Sequence, residues 1–506
     1  MNDNNRLETK IEEAYNFISL INKEAYKDIF LLSNQVLSKN PFANNFLKRF
    51  LNRENLKQQP FHIVLFKLLK YYIKSFKYFI LYIFNFIGYF LSALRFSSLN
   101  NKELILIDTF FLMDNINKSN SYADPYFPGL EDLLKRMNKH YAYLPAFYGP
   151  QKPFDLYAVL KVLRKEKVPV LSEFQLLSIY DLLYLLYFIV IYPYRVLKLA
   201  RRLPAGGCET NLLRYELIDT IEQVTFYSFS RYLQGKKIAA LPYENIKVIS
   251  WYENQVIDKN LYKGLRTSID KARIYGAQLF LYSKDMLNII PDENEKIFGI
   301  IPDKIIANGP WFIPEKKRLN YAVGPSLRYS RLFSTRVKKE NQKNILVLLP
   351  YGIEDAENIL RVLYDTKILF QPVYVKAHPC TPIGIFKHLL SPNFSIVNSN
   401  IYKLFETAKI VIGVAMGGTL VEATSLGIPA ILVKNSGRVE CSPLPRYGKG
   451  IIWEEVSNPE ALKRQIDNFE YALNNNPEEI YNIANVYKRM FFCKPVEENI
   501  VKAFDL

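Results

Sequence analysis

The sequence predicts two α/β domains, each a parallel sheet flanked by helices. Three observations lead there. Residues 409–433, KIVIGVAMGGTLVEATSLGIPAILV, read as strand, tight turn, helix and strand. An apolar run is followed by Gly417-Gly418-Thr419, then by Leu420, Ala423 and Leu426 on one helical face; Gly427 and Pro429 stop the helix before a second apolar run. That order is the repeating unit of a parallel sheet. From Leu104 onward, short apolar runs alternate with helical patterns, as α/β folds require. The alternation pauses in a basic, Ser/Arg-rich stretch, 311–342, and restarts at 345–349. A chain of 506 residues, 49% hydrophobic and 23% charged, is long and apolar enough for two or three folded domains.

Taken in order, residues 1–100 form an N-terminal helical region. Leu7, Ile11, Ala14, Ile18 and Ile21 make a narrow apolar seam over 1–57, expected to pack on its own protein. In 61–95, Lys67, Lys70, Lys74 and Lys77 line one helical face, opposite Ile63, Leu65, Phe66, Leu69, Ile73 and Phe76. Residues 78–94 then run without a charge, interrupted by Asn85 and Gly88. A spanning helix wants about 20 apolar residues. This one is marginal, and is expected to lie in a membrane interface with its lysines toward anionic lipid. The first α/β domain covers 101–310. It opens with a strand at 104–107, the loop SYADPYFPGL containing Asp124, a helix at 131–138 and a strand at 141–147. An apolar insertion, 174–205, follows. Its uncharged core, 182–194, is too short to span, and Arg195, Lys198, Arg201 and Arg202 come next, so a second membrane-associated helix is expected. Strands at 246–251, 277–282 and 303–306 complete this domain, with WYENQVIDKNLYKGL, which contains Glu253, after the first of them. The second domain, 343–506, starts with the strand 345–349, the turn Tyr351-Gly352 and a helix at 355–363.

The net charge of +17 asks for an acidic partner. Nucleic acid is not expected, because no zinc finger, basic helix or aromatic RNA-binding strand appears. The four cysteines, Cys208, Cys380, Cys441 and Cys493, have no metal-ligand spacing and read as reduced thiols. With four scattered histidines and no H-E-x-x-H or D-x-D motif, neither a tightly held metal nor a cofactor is expected. The N-terminus lacks a signal-peptide pattern, so secretion is not expected either.

Chemistry concentrates in the second domain. In YVKAHP, Lys376 and His378 leave a strand at 373–375 and, two residues apart, point the same way in extended chain. Pro379 stiffens the turn. Gly417, Gly418 and Thr419 lie where strand hands over to helix, and backbone N–H groups there suit a phosphate. Glu422 lies one turn further on, within reach of a ribose hydroxyl. Tyr351 and Gly352 complete this group at the end of the sheet's first strand.

The K-x-HP run, followed downstream by strand, small residues and E-A-x-x-x-G-x-P (Glu422 to Pro429), resembles the nucleotide-binding half of bacterial GT-B glycosyltransferases. It is most similar to the surface-carbohydrate (capsule and O-antigen) proteins that share the HP motif with CMP-sialic acid and Kdo transferases and CDP-glycerol glycerophosphotransferases. The likeness spans about 344–453. SYADPYFPGL and WYENQ are similar to loops of the same proteins. The resemblance implies two Rossmann-like domains facing a cleft, with the donor nucleotide on the second and the acceptor on the first. It implies metal-independent transfer from a CMP- or CDP-sugar to a lipid-linked or membrane-associated glycan. Such a protein would be peripheral or monotopic, on the cytoplasmic face of a bacterial inner membrane. Lys376, His378, Pro379 and the glycine turn would then hold the leaving phosphate. Glu253 or Asp124 would be the base if the reaction inverts. A non-catalytic scaffold of a glycan-assembly complex and a nucleotide-sugar 2-epimerase are the alternatives. Each residue also has a purely structural reading: His378 as a packed histidine, Glu422 as a surface charge, Glu253 as a cap, and Asp124 as the turn residue before Pro125.

Overall fold

The structure, a computed structural model, describes residues 3–97, 102–149, 152–204, 206–267, 271–283, 286–314, 319–366, 372–378, 381–414, 417–435 and 442–506. It contains two six-stranded sheets. The first is ordered β2-β1-β3-β4-β5-β6, with β1 Glu103–Leu112, β2 Tyr141–Tyr148, β3 Asn245–Trp251, β4 Ala272–Gln278, β5 Lys304–Ala307 and β6 Tyr321–Val323. The second is ordered β12-β11-β10-β7-β8-β9. Here β7 is Asn344–Leu348, β8 Val373–Lys376, β9 Phe394–Ile396, β10 Ala408–Gly413, β11 Ala430–Val433 and β12 Trp453–Val456. Pairing is parallel from β2 through β4 and throughout the second sheet. Central strands such as Leu104-Ile105-Leu106-Ile107 and Val411-Ile412 are buried on both faces, which is why they appear in the sequence as unbroken apolar runs rather than alternations.

The chain forms two compact units. One comprises Met1–Gln278, Leu287–Ile306 and Lys316–Ala322; the other comprises Leu279–Met286, Ala307–Glu315 and Val323–Leu506. The α/β class and the two-sheet architecture agree with the sequence reading. Individual elements differ in instructive ways. β4 begins at Ala272, five residues before the apolar run that marked it. Polar Arg273 and small Gly276 hid it. A Cβ on Gly276 would lie 2.3 Å from Pro302 Cγ, so only glycine lets this strand approach its neighbour. The short edge strands β6, β9 and β12 carry three or four residues each, too few for a period to register. At the N-terminus one helix, Asp3–Ala25, buries Ile11, Ala14 and Ile18 as expected, but the chain then breaks into the short turn Ile29–Ser33 and the helix Phe46–Leu51. Asp28 caps that turn through the Phe30 N–H at 3.2 Å.

The lysine stripe of 61–95 requires a correction. It lies on the single helix Phe61–Ser92. Lys67 pairs with Asp219 at 2.8 Å, while Lys70 and Lys74 pair with Glu222 at 2.8 and 3.5 Å. Three of the four lysines therefore lean toward the protein's own carboxylates, and the apolar stripe faces outward.

Two helices around the first sheet meet at close range. Phe226–Ala239 and Val256–Leu265 cross at Gly235 and Gly264. A Cβ on Gly264 would lie 2.2 Å from the Tyr232 carbonyl oxygen, and one on Gly235 2.4 Å from that of Leu261. Backbone, unlike a side chain, has no rotamer to yield. Gly264→Ala should therefore exceed the usual overpacking cost and lower stability by about 3 kcal/mol or more. Gly384→Ala, where the nearest atom is the flexible Lys387 side chain 4.0 Å away, should be close to neutral. Urea unfolding of both variants checks this; a Gly264→Ala protein as stable as the parent would refute the tight crossing.

Candidate functional site

In the second sheet, connections run outward in both directions from the adjacent pair β7 and β10. Such a reversal leaves a crevice beyond the C-terminal strand ends, where open α/β sheets bind ligands. The sequence-derived residues collect at these ends. Tyr351 and Gly352 follow β7, whose Leu348 is in register with Lys376 of its neighbour β8. The Leu349 N–H donates to the Lys376 carbonyl at 3.0 Å, carrying the ladder one step further. The Tyr351 and His378 rings meet edge to face, 5.7 Å between centroids, and the Thr381 hydroxyl ties the two segments by donating to the Tyr351 carbonyl at 2.9 Å. His378 is half-buried, and burial lowers its pKa from the ordinary histidine value, which favours the uncharged imidazole. Pro379, and with it Cys380 and Cys441, lies outside the described residues.

β10 contributes the third strand end. Gly413 closes the strand, and a helix runs from Gly418 to Ser425. The glycines here answer to packing: a Cβ on Gly418 would stand 3.1 Å from Leu281 Cβ, and one on Gly417 3.2 Å from the Val414 carbonyl oxygen. Thr419 and Gly418 are partly exposed, whereas the helix from Leu420 to Ser425 is buried. The helix start is thus the part open to a ligand: the Leu420 N–H donates to the Gly417 carbonyl at 3.0 Å, which leaves the N–H groups of Gly418 and Thr419 at positions where a helix offers no acceptor. Gly427, with φ +82°, ends the helix as read. Glu422 is buried, 8% exposed, and accepts a hydrogen bond from the Tyr402 hydroxyl at 2.5 Å. Burial pushes its carboxyl up to about 7, opposed by the Tyr402 bond and the Arg328 charge. Tyr402 and Arg328 had no motif to announce them; they come from a separate helix and from the segment before β7.

The first sheet has its own reversal, between β1 and β3. Beneath it Asp108 is ion-paired with Arg231 and accepts from the Ser250 hydroxyl at 2.7 Å, while the Tyr262 hydroxyl donates to Ser250 at 2.8 Å. Asp108 is a mid-strand residue: β1 runs on to Leu112, past the end the sequence suggested. Glu253 follows β3, and both its oxygens are engaged, by Trp251 Nε1 at 2.8 Å and Gln255 Nε2 at 2.5 Å. The turn is closed by Asp258, whose Oδ2 accepts from the Glu253 and Gln255 N–H groups at 3.2 and 2.8 Å. Burial raises Asp258 to about 7, with Asp108 and Glu253 adding repulsion. Asp124 folds its own turn, Oδ1 accepting from the N–H groups of Tyr126 and Phe127 at 2.8 and 3.1 Å. The Tyr126 ring then packs on Trp251, 4.6 Å between centroids. Asp124 and Glu253 are therefore linked through Trp251, at the same end of the same sheet. Burial lifts Asp124 to about 6, against these two backbone bonds.

No protein-family model and no curated protein sequence matches the chain. Among solved structures it is similar to a MurG from Acinetobacter baumannii, at 11% identity over 80% of this chain and 99% of that one, with a TM-score of 0.41. A UDP-GlcNAc 2-epimerase from Neisseria meningitidis bound to UDP-GlcNAc gives 12%, 79%, 99% and 0.45. A glycosyltransferase from Rickettsia africae gives 14%, 80%, 94% and 0.39. Every one of these scores is below 0.5, and the roles of residues rest on the chain's own geometry.

The raised Asp124 value has a measurable consequence. The folded state holds this proton more tightly than the unfolded chain, whose ordinary value is 3.8. Its contribution is therefore most favourable at low pH and is lost as pH rises from about 4 through 6, by up to about 3 kcal/mol. Asp124→Asn keeps the Oδ1 acceptor and removes the ionisation. Thermal unfolding across this window should fall less steeply with pH for the variant than for the parent. Identical slopes would mean that Asp124 titrates normally.

Proposed function

We propose that this protein is a metal-independent glycosyltransferase that moves a sugar from a nucleotide-activated donor, CMP- or CDP-linked, to a lipid-linked or membrane-associated glycan acceptor. One observation supports it above others. Tyr351, Lys376 with His378, and the Gly417–Thr419 turn occupy three neighbouring strand ends at the reversal of the second sheet. A cation, an imidazole and a helix start gathered there suit a phosphorylated nucleotide. As the glycosidic bond breaks, negative charge grows on the leaving phosphate; Lys376, an N–H of His378 and the turn's N–H groups would stabilise it. An acceptor hydroxyl must also lose its proton. Glu253 and Asp124 are the carboxylates proposed for that step, at the reversal of the first sheet. The K-x-HP and E-A-x-x-x-G-x-P resemblance supports the choice of surface polysaccharide as product and of the cytoplasmic face of a bacterial inner membrane as location. The missing D-x-D motif supports the metal-free reading.

Turnover with CMP- and CDP-sugars should fall about 10²-fold or more in His378→Ala, the scale of losing one charge-stabilising donor. It should persist in EDTA. Glu253→Gln should abolish transfer and leave nucleotide affinity nearly unchanged. Activity retained in Glu253→Gln but lost in Asp124→Asn would move the base to Asp124. Binding without transfer in the parent would favour a scaffold, and acceptor-independent interconversion of nucleotide sugars would favour an epimerase.

A further inference from the structure

Two helices of the first unit turn apolar side chains outward. In Phe61–Ser92 the buried positions include Tyr71, Ser75, Tyr82, Asn85, Gly88 and Ser92. The outward stripe is Leu65, Leu69, Ile73, Ile80, Ile87 and Leu91, at 37% exposure or more. A helix of a water-soluble surface shows the opposite arrangement. Ile179–Arg202 is apolar on both sides: it buries Leu182, Leu185, Phe188, Ile189 and Val196, yet Leu183, Tyr184, Tyr187, Val190 and Tyr194 are exposed. The two lie side by side, the Tyr72 hydroxyl donating to the Val190 carbonyl at 3.0 Å and the Tyr71 and Tyr192 rings meeting at 6.0 Å. More than half of the large hydrophobic side chains exposed among the described residues are on these two helices. Their outer faces form one patch of a kind that marks an interaction site.

Charge identifies the occupant. Phe61–Ser92 contains no Asp or Glu. The single acid of Ile179–Arg202, Asp181, is turned inward, capping Ser178 and pairing with Lys237 at 2.9 Å. Around the patch stand Lys77, exposed beside Tyr78, and Lys198, Arg201 and Arg202 at one helix end. An apolar face with tyrosines, no exposed acid on either helix and cations at its border complements an anionic lipid surface, although Glu24 and Asp28 stand near Lys198 and Arg202. Both helices are long and apolar enough to cross a bilayer. The inner face of Phe61–Ser92 argues against crossing for that helix, and Ile179–Arg202 is packed beside it. Tyr82 donates to Glu173 at 2.7 Å, Tyr89 to Gln175 at 3.0 Å, and Lys67 pairs with Asp219, so one side of the helix Phe61–Ser92 is committed to a polar protein interior along most of its length.

We propose that helices Phe61–Ser92 and Ile179–Arg202 together form a single docking face that lies in the plane of an anionic bilayer, its Leu/Ile stripe in the headgroup–acyl boundary and its Arg201–Arg202 end on lipid phosphate. This deepens the membrane placement proposed for the transferase. It also reverses the role of the lysine row, since Lys67, Lys70 and Lys74 brace the helix instead of reaching lipid.

The test is flotation of the full chain with vesicles of phosphatidylglycerol and phosphatidylcholine, or of phosphatidylcholine alone, at low and high salt. The parent should float with the anionic vesicles and lose binding as salt screens the cations. Leu69→Ser, Ile73→Ser and Ile80→Ser combined should abolish flotation with an unchanged circular dichroism spectrum. Arg201→Ala with Arg202→Ala should remove the preference for anionic lipid. In a second measurement, Ile80→Trp should add fluorescence that acyl-brominated lipid quenches. Flotation unaffected by the serine substitutions, or a Trp signal that such lipid does not quench, overturns the proposal. So does a salt-stable dimer that the serine substitutions dissolve, because a second copy would then cover the face. The parent's nucleotide affinity, measured without vesicles, keeps failure here separate from failure of the transferase reading.

Discussion

The approach of Gly235 to Gly264 fixes much of the first unit. Helices that touch backbone to backbone cannot slide or rotate without a clash, so both are locked relative to the sheet they cover. One of them carries Arg231 to Asp108 at the centre of the sheet. The other starts immediately after the turn that holds Glu253, and its Lys259 is wholly buried, donating to the carbonyl and side-chain oxygens of Asn254 at 2.7 Å each. That holds Asn254 at φ +57°, a left-handed conformation that asparagine tolerates better than most. Lys259 also pairs with buried Glu295 at 2.9 Å, where burial drives the ammonium pKa down from its usual value. Glu295 also lies 3.7 Å from Lys39, which pairs with Asp292 at 2.9 Å; buried ion pairs add little to net stability, but losing one partner is costly. Here the pair defines a backbone turn, and the turn defines where a carboxylate stands.

How much of this could be read from the residues followed from how local the determinant was. β7, β10 and β11 are continuous apolar runs because both faces are buried, and their positions are legible to within two residues; only the start of β1 is, because Asp108 and Thr109 interrupt its run. The glycine turn and helix of 417–427 are set by their own neighbours, so the strand–turn–helix order was visible too. β4 was misplaced because Arg273 and Gly276 break its apolar run, and the neighbour that requires that glycine, Pro302, is invisible to a local window. In the candidate site, Tyr351, Lys376, His378, Gly417, Gly418 and Thr419 could be gathered in advance, since each follows a recognisable strand. Tyr402, Arg328 and Asp258 could not: they matter through contacts made in three dimensions, and a lone Tyr, Arg or Asp carries no local signature.

The helix Phe61–Ser92 shows a different limit. Its two faces were separable by period alone, but period cannot say which face turns inward. The usual assumption sends the apolar side to the core and the lysines to the outside. Asp219 and Glu222, more than a hundred residues downstream, reverse it by offering carboxylates to the lysine side. The inner surface of Tyr, Ser, Asn and Gly is then intelligible. It is a packed layer in which the Tyr82 and Tyr89 hydroxyls donate to Glu173 and Gln175, and whose small residues admit neighbours: a Cβ on Gly88 would touch Tyr157 Cβ at 3.4 Å.

The way the chain is divided between its two units has a practical corollary. Leu279–Met286 and Ala307–Glu315 belong to the second unit, while Leu287–Ile306 and Lys316–Ala322 return to the first. No single cut in the gene separates them. A fragment ending near residue 310 would lack β6, and one beginning there would lose the segment bearing Leu281 that backs the glycine turn. Dissecting the halves calls for grafted or permuted versions of the chain, with the crossing segments restored by short artificial joins.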